Sequence, residues 1–197
     1  VRKGILIKGG AYIEQMSGAN TVLLDKTGTI TEGKPHIVSM QVVVPDMTEK
    51  EVLSMAMAAE ETSSHPLASA ILAYGRSMGA EIPEHDEIIT EVSRGSRTVV
   101  DGEVVRVGSL KFMKENHVAA PDGMQISGVG IANYVGVGSR IVGVLYAMDE
   151  VRQNVRRAIN SLRYDGVGEV QMLTGDMDEQ ARLVAQEIGA DGYRAQL

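Results

Sequence analysis

Residues 21–25 read Thr-Val-Leu-Leu-Asp, and residues 170–176 read Val-Gln-Met-Leu-Thr-Gly-Asp. A short apolar run that stops at polar and glycine residues is the mark of a strand buried in a sheet. Two such runs, at 21–24 and 170–173, constrain the fold more than any other feature of the chain. If they are parallel neighbours joined by crossovers, both end on one edge, where open α/β sheets place their ligands. Asp25 and the Thr174-Gly175-Asp176 turn are then expected to face one crevice. A carboxylate there can act as a covalent nucleophile. The glycines and the hydroxyls of Thr27 and Thr174 let N–H and O–H groups come close to phosphate oxygens.

The pattern between these strands divides the chain into three parts. Residues 1–35 read as a helix or loop ending in Ser-Gly-Ala-Asn, then the first strand, then a loop. From 48 to 78 the signals are helical. Thr48 with Glu51 forms a capping box ahead of an apolar face of Val52, Leu53, Ala56, Met57 and Ala59. A second helix opens at His65-Pro66, with Pro66 at a first helical position and Gly79 beyond its end. Residues 88–109 and 129–146 turn to β-branched runs broken by glycines, as antiparallel hairpins do. After Asp149 a helical pattern resumes (Val151, Val155, Ala158, Ile159, Leu162), followed by the second strand and a helix at 178–188. Asp149 and Arg152 are spaced to pair across one turn of that first helix. The outer parts are thus α/β and the middle is α+β.

Composition excludes several classes. The 197 residues carry a net charge of −7 and a sequence pI near 5.1, which argues against a nucleic-acid partner. The absence of cysteine rules out disulfides, thiolate metal sites and a cysteine nucleophile. No apolar run approaches the roughly 20 residues of a membrane helix, and there is no signal-peptide pattern, so direct membrane insertion is not expected. Met47, Met55 and Met57 sit in or beside a helical apolar pattern and read as core filling.

Asp-Lys-Thr-Gly-Thr-Ile-Thr-Glu-Gly-Lys-Pro at 25–35 resembles the phosphorylation motif of P-type ATPases, and Ser-Ser-His-Pro-Leu-Ala-Ser-Ala-Ile at 63–71 resembles the His-Pro motif of their heavy-metal-transporting branch. Gly-Ile-Leu-Ile-Lys-Gly-Gly at 4–10 and Leu-Thr-Gly-Asp at 173–176 are similar to that branch as well, in the same order. The resemblance implies a haloacid-dehalogenase-like, Rossmann-like α/β phosphorylation domain at 1–37 and 146–197. Into it would be inserted an α+β nucleotide-binding domain at 38–145, built of antiparallel sheet plus helices. It implies that Asp25 accepts the phosphoryl group of ATP, that Lys26 and Thr27 position it, and that Thr174, Gly175 and Asp176 hold phosphate or order the site. Mg²⁺ would bridge Asp25, the carbonyl of Thr27 and the phosphate. Related phosphatases carry a general-acid aspartate two residues after the nucleophile; here that place is Thr27, which suits a cycle that stores its intermediate.

In the middle segment the resemblance implies that His65, Pro66 and Glu60 bind the adenine of ATP or ADP, with Gly95, Gly102 and Ser109 close to the nucleotide. Two positions depart from the family: Ser93 replaces a glycine and Ser109 an asparagine. From the residues alone, His65 reads rather as the cap of a helix starting at Pro66, and only the ordered set of motifs reverses that. The family's phosphorylation domain continues to a further lysine and an acidic Gly-Asp-Gly loop that this sequence does not reach, so the domain is expected to be incomplete here. The partners implied are the remaining phosphorylation, actuator and transmembrane domains, with this region on the cytoplasmic side of a membrane. Two alternatives stay open: a nucleotide-binding or regulatory module without turnover, and a phosphatase of the same fold.

Other features point elsewhere only weakly. Gly28 to Lys34 nearly matches a Walker phosphate loop, but Pro35 stands where its hydroxyl is needed. The Gly-Val-Gly repeats at 128–130 and 136–138 flank a strand and read as turns. His85 and His117, among acidic or polar neighbours, are expected on the solvated surface.

Overall fold

A computed structural model of the chain describes residues 6–91, 94–175 and 178–197. Ser93, Asp176 and the first two residues of the 4–10 stretch lie outside the described residues. In chain order the elements are α1 (Gly10–Ser17), β1 (Thr21–Asp25), β2 (His36–Val42), α2 (Glu49–Glu60), α3 (Pro66–Ser77), β3 (Ile89–Glu91), β4 (Gly95–Val100) and β5 (Glu103–Gly108). They continue with α4 (Leu110–Glu115), β6 (Ile131–Val137), β7 (Arg140–Met148), α5 (Val155–Tyr164), β8 (Glu169–Leu173), α6 (Asp178–Ile188) and β9 (Gly192–Arg194). Among the described residues no helix is long and apolar enough to cross a membrane.

The chain forms two compact units, residues 1–33 with 151–197, and residues 34–150. In the first, the expected parallel pairing is present: β1 lies beside β8 with Thr21 opposite Glu169 and Asp25 opposite Leu173. The sheet order is β1-β8-β9. Val170 and Met172 of β8 pack with Ile159 of α5, with Ala181, Ala185 and Ile188 of α6, and with Ile30. The central position of β8 explains its burial, since both its edges are paired. Among the described residues β1 has one neighbour, and it is less buried than a core strand, with Leu23 at 60% exposure. α5 starts at Val155 rather than Val151, so Asp149 and Arg152 do not share a helical turn.

The second unit is a six-stranded antiparallel sheet in the order β2-β7-β6-β5-β4-β3. Its hairpins follow from the β-branched runs and from turn residues such as Asp101-Gly102, both at positive φ, as a two-residue hairpin turn requires. α2 and α3 cover one face, where Val52, Leu53, Met57 and Ile71 meet Val105, Val107, Val135 and Leu145. α4 covers the other through Phe112 and Met113, against Tyr134, Ile141 and Tyr146. The capping box forms as expected: the Thr48 Oγ1 accepts from Glu51 N at 3.3 Å, and Glu51 Oε2 accepts from Thr48 N at 2.7 Å. The expected edges of this unit, 37/38 and 145/146, fall inside β2 and β7, which pair with each other at Ile37 and Ala147. A boundary cannot divide a ladder without breaking it, and the unit therefore runs from 34 to 150.

Candidate functional site

In the first unit, β1 delivers Asp25 to the end of the sheet with its side chain exposed. The register sets Leu173 beside it, so Thr174 follows at the same edge, buried at 4% exposure. Its N–H donates to Arg194 O at 3.0 Å, tying the turn to β9. Gly175 is exposed at that edge.

The loop after Asp25 is tightly determined. Thr27 (φ −75°, ψ 119°) and Gly28 (φ 77°, ψ −12°) are the central pair of a type II turn, whose second position demands positive φ and hence glycine. Thr31 closes the loop: its N–H donates to Lys26 O at 2.9 Å and its hydroxyl to the same oxygen at 3.1 Å, while Gly28 N donates to Thr31 Oγ1 at 3.2 Å. Arg152 holds the outside. Its Nε donates to Thr29 O at 3.2 Å and Thr31 O at 3.0 Å, and its Nη2 to Gly28 O at 3.2 Å. Thr27 is exposed like Asp25, whereas Lys26 is buried at 6% exposure. Sequence reasoning considered Arg152 only as half of a surface pair; its role as a loop clamp needed the three-dimensional course of residues 28–31. Lys34 and Pro35 lead into β2 instead of a helix, so the near-match to a Walker loop lacks the helix N-terminus that such a loop needs.

In the second unit, a cavity of about 240 Å³ is lined by Glu60, His65, Gly95, Ser96, Ser109 and Asn133, among others. Glu60 ends α2 and is buried at 7% exposure, accepting from Ser96 Oγ at 2.7 Å. Burial pushes its carboxyl above the ordinary value, opposed by the Ser96 and Ser63 hydroxyls. His65 does cap α3: its Nδ1 accepts from Leu67 N at 3.2 Å. That bond uses Nδ1 as acceptor and leaves Nε2 for a ligand, so capping and ligand binding are compatible roles. Pro66 sits at the first helical position and is not one of the lining residues.

Gly95 and Gly108 are opposite each other on β4 and β5. A Cβ on Gly95 would lie 2.3 Å from Val107 O and 2.7 Å from the Phe112 ring. Its bareness is thus required by the chain's own packing at the cavity mouth. Ser109 caps α4 by accepting from Phe112 N at 3.2 Å, which a serine does as well as an asparagine. Gly102 is not brought to the cavity; it lies at the far end of the β4–β5 hairpin, where its φ of +82° serves the turn. Ser96, Asn133 and Arg94 line the cavity without having been singled out in the sequence, where β-strand alternation left no signal for them.

His85 departs from expectation. Its side chain is only 13% exposed, with Nε2 2.9 Å from Glu61 Oε2 and Nδ1 2.7 Å from Asp86 O. The Asp86 carbonyl first, and Glu61 after it, raise its pKa above the usual value. His117 is exposed and ends α4 at a φ of +56°. Among the described residues no three His, Cys, Asp or Glu side chains converge as a metal cluster.

The profile of the haloacid dehalogenase-like hydrolases matches residues 19–196. Along its whole length the chain is 33% identical, over 202 residues, to a zinc-exporting P-type ATPase of Mycobacterium marinum, covering 28% of that protein. It is likewise 33% identical, over 207 residues, to a cadmium-transporting ATPase of Staphylococcus aureus, again covering 28%. The chain therefore spans little more than a quarter of the curated relatives it matches. Among solved structures, the catalytic CPx-ATPase domain CopB-B superposes with a TM-score of 0.79 at 22% identity, over all of this chain and 68% of that one. A zinc-transporting PIB-type ATPase in the E2.Pi state gives 0.63 at 28% identity, over all of this chain and 32% of that one.

Proposed function

Because the chain belongs to the haloacid dehalogenase-like hydrolases, we propose that it is the ATP-binding and phosphorylation region of a heavy-metal-exporting P-type ATPase, with Asp25 as the phosphoryl acceptor. The observation that carries this reading is the placement of Asp25: an exposed carboxylate at the end of β1, in register with the end of β8 and followed by a clamped, glycine-turned loop. In the whole protein the region would lie on the cytoplasmic side of a membrane, working with actuator and transmembrane domains.

A carboxylate oxygen of Asp25 attacks the γ-phosphorus, the bond to the β-phosphate oxygen breaks, and ADP leaves with that electron pair. An aspartyl phosphate remains, and attack of water on its phosphorus later returns Asp25 and inorganic phosphate. Thr27 offers no carboxylate to take the proton of the attacking water, which slows this hydrolysis and preserves the intermediate. The Thr174 turn and the N–H groups of Thr27 and Thr29 supply donors to the phosphoryl oxygens. The oxygen donors at this edge, the Asp25 carboxylate and the Thr27 carbonyl, fit a hard cation such as Mg²⁺ that keeps waters and phosphate oxygens as its other ligands. Bound there, Mg²⁺ would neutralise charge on the transferring phosphate.

The cavity of the second unit reads the base. The Nε2–H of His65 donates and the Glu60 carboxylate accepts, a pair suited to the ring nitrogen and 6-amino group of adenine. At about 240 Å³ the cavity is below the roughly 300–1,000 Å³ of sites that enclose a whole ligand, so the phosphates extend outside it. ADP titrated calorimetrically into the chain should bind, GDP should not, and His65→Gln or Glu60→Gln should weaken ADP at least tenfold. Unchanged affinity in both variants would remove the adenine roles. In the intact ATPase, γ-labelled ATP should leave a hydroxylamine-sensitive adduct that Asp25→Asn abolishes; an adduct that persists places the nucleophile elsewhere.

A further inference from the structure

The structure assigns an oxyanion site to Arg97 and Arg106, on the face of the six-stranded sheet opposite to α2 and α3. The two arginines are direct cross-strand partners on β4 and β5. Alternation along β4 puts Ser96, Thr98 and Val100 on the α2 side, so Arg97 points with Gly95 toward the α4 side, where Phe112 covers the glycine pair. Arg106 shares that face, flanked by Gly136 of β6, while Ile89 of β3 flanks Arg97.

Side chains directly opposite on a sheet have Cβ atoms about 5 Å apart, and like charges there repel. A fold has easy ways to avoid such a pair, and this chain, with its net charge of −7, has carboxylates to spare. Yet among the described residues neither guanidinium enters an ion pair, and the Nε of each is buried with no hydrogen-bond partner. The only bond from either head group among those residues is Arg106 Nη1 to Gly138 O, at 3.3 Å. Burial, then the charge of Arg97, lowers the Arg106 pKa, and Glu91 opposes this from a distance. Two adjacent positive charges on one face of the sheet, with no ion-paired counter-charge among the described residues, ask for one ligand: a compact, doubly charged oxyanion. A phosphate presents several oxygens that can accept from the Nη groups of both guanidiniums at once. The ligand is inorganic phosphate or the terminal phosphate of a monoester. The inference does not depend on the nucleotide reading, whose cavity is lined by neither arginine.

The test follows the arginine Nε–H resonances of the 197-residue chain by NMR while inorganic phosphate replaces chloride at constant ionic strength. The Arg97 and Arg106 signals should shift saturably with one midpoint, and the thermal midpoint should rise with phosphate as for any ligand of the folded state. Arg97→Gln and Arg106→Gln should each abolish the phosphate-dependent rise while leaving ADP affinity unchanged. A second arm with glycerol phosphate separates the sources: a response to both anions identifies a monoester end, and a response to phosphate alone identifies the free ion. If chloride shifts the two signals as phosphate does, or if stabilisation by phosphate persists in both variants, the site does not exist. Should a variant fail to fold, the titration of the unaltered chain decides by itself.

Discussion

Replacing Arg152 with alanine removes one side chain and tests whether the loop after Asp25 must be held from outside. The guanidinium donates to the carbonyls of Gly28, Thr29 and Thr31 at 3.0–3.2 Å, and the backbone bond from Arg152 N to Ile30 O, at 2.9 Å, survives the change. A hydrogen bond from a charged donor contributes about 1.5–3 kcal/mol when buried. Arg152 is exposed, and two of the three bonds share one N–H, so the clamp as a whole is worth about 1–2 kcal/mol. If that energy is spent on holding the Thr27-Gly28 turn in its reactive shape, phosphorylation slows by about 5- to 30-fold, since 1.36 kcal/mol corresponds to tenfold. Lysine should not rescue, because a point charge cannot reproduce a fork that spans three carbonyls. Rapid-quench measurement of label transfer in the intact ATPase gives the rate, and ADP calorimetry shows the cavity of the other unit to be untouched. Wild-type phosphorylation in Arg152→Ala would refute the clamp.

Three further outcomes are expected. Gly95→Ala drives a Cβ into Val107 O and the Phe112 ring and should cost about 1–3 kcal/mol or more, read by urea unfolding; a neutral result would mean that α4 yields freely. Glu60 has a folded pKa raised chiefly by burial, so the folded state holds its proton longer than the unfolded one, and stability should fall as pH rises from about 4.3 through the folded value. Glu60→Gln should flatten that slope, and a slope unaltered between pH 4 and 7 would contradict it. His85 has a raised pKa, so its stabilising contribution is complete below about 6.5 and is lost as pH rises through the folded value. In an NMR titration Glu61→Gln should lower its midpoint only in part, because the Asp86 carbonyl remains; no movement would remove Glu61 from the account.

Much of this was legible in the residues because local and global signals agree. The capping box at Thr48, the proline at position 66 and the glycine-broken β-branched runs of β4 to β7 each act through short-range physics that needs no distant partner. The parallel pairing of β1 with β8 was readable because both strands stop at turn residues suited to one sheet edge. β2 was not, since His36–Val42 contains no alternation strong enough to separate it from a linker, and its strand character comes from β7. α4 was missed for its length, six residues, too short for a helical period to register. Gly102 was misplaced because a glycine kept for a hairpin turn looks, in one dimension, like a glycine kept for a ligand. The arginine pair was invisible for the same reason: positions 97 and 106 become neighbours only through strand register.

The pairing of β2 with β7 also bears on the order of folding. β1 and β8 must meet across nearly the whole chain, Thr21 against Glu169, a closure of about 150 residues. Once His36 is opposite Met148, the path between the two parallel strands shortens to a few tens of residues, about two halvings of the loop. Each doubling of a loop costs about 0.6 kcal/mol, so a preformed insert spares the parallel sheet about 1.2 kcal/mol of closure entropy. The inserted sheet should therefore assemble first and act as a splint for the nucleophile's strand. Pulse-labelled hydrogen exchange would show protection in β6 and β7 ahead of β8; the reverse order would mean that the parallel sheet closes without help.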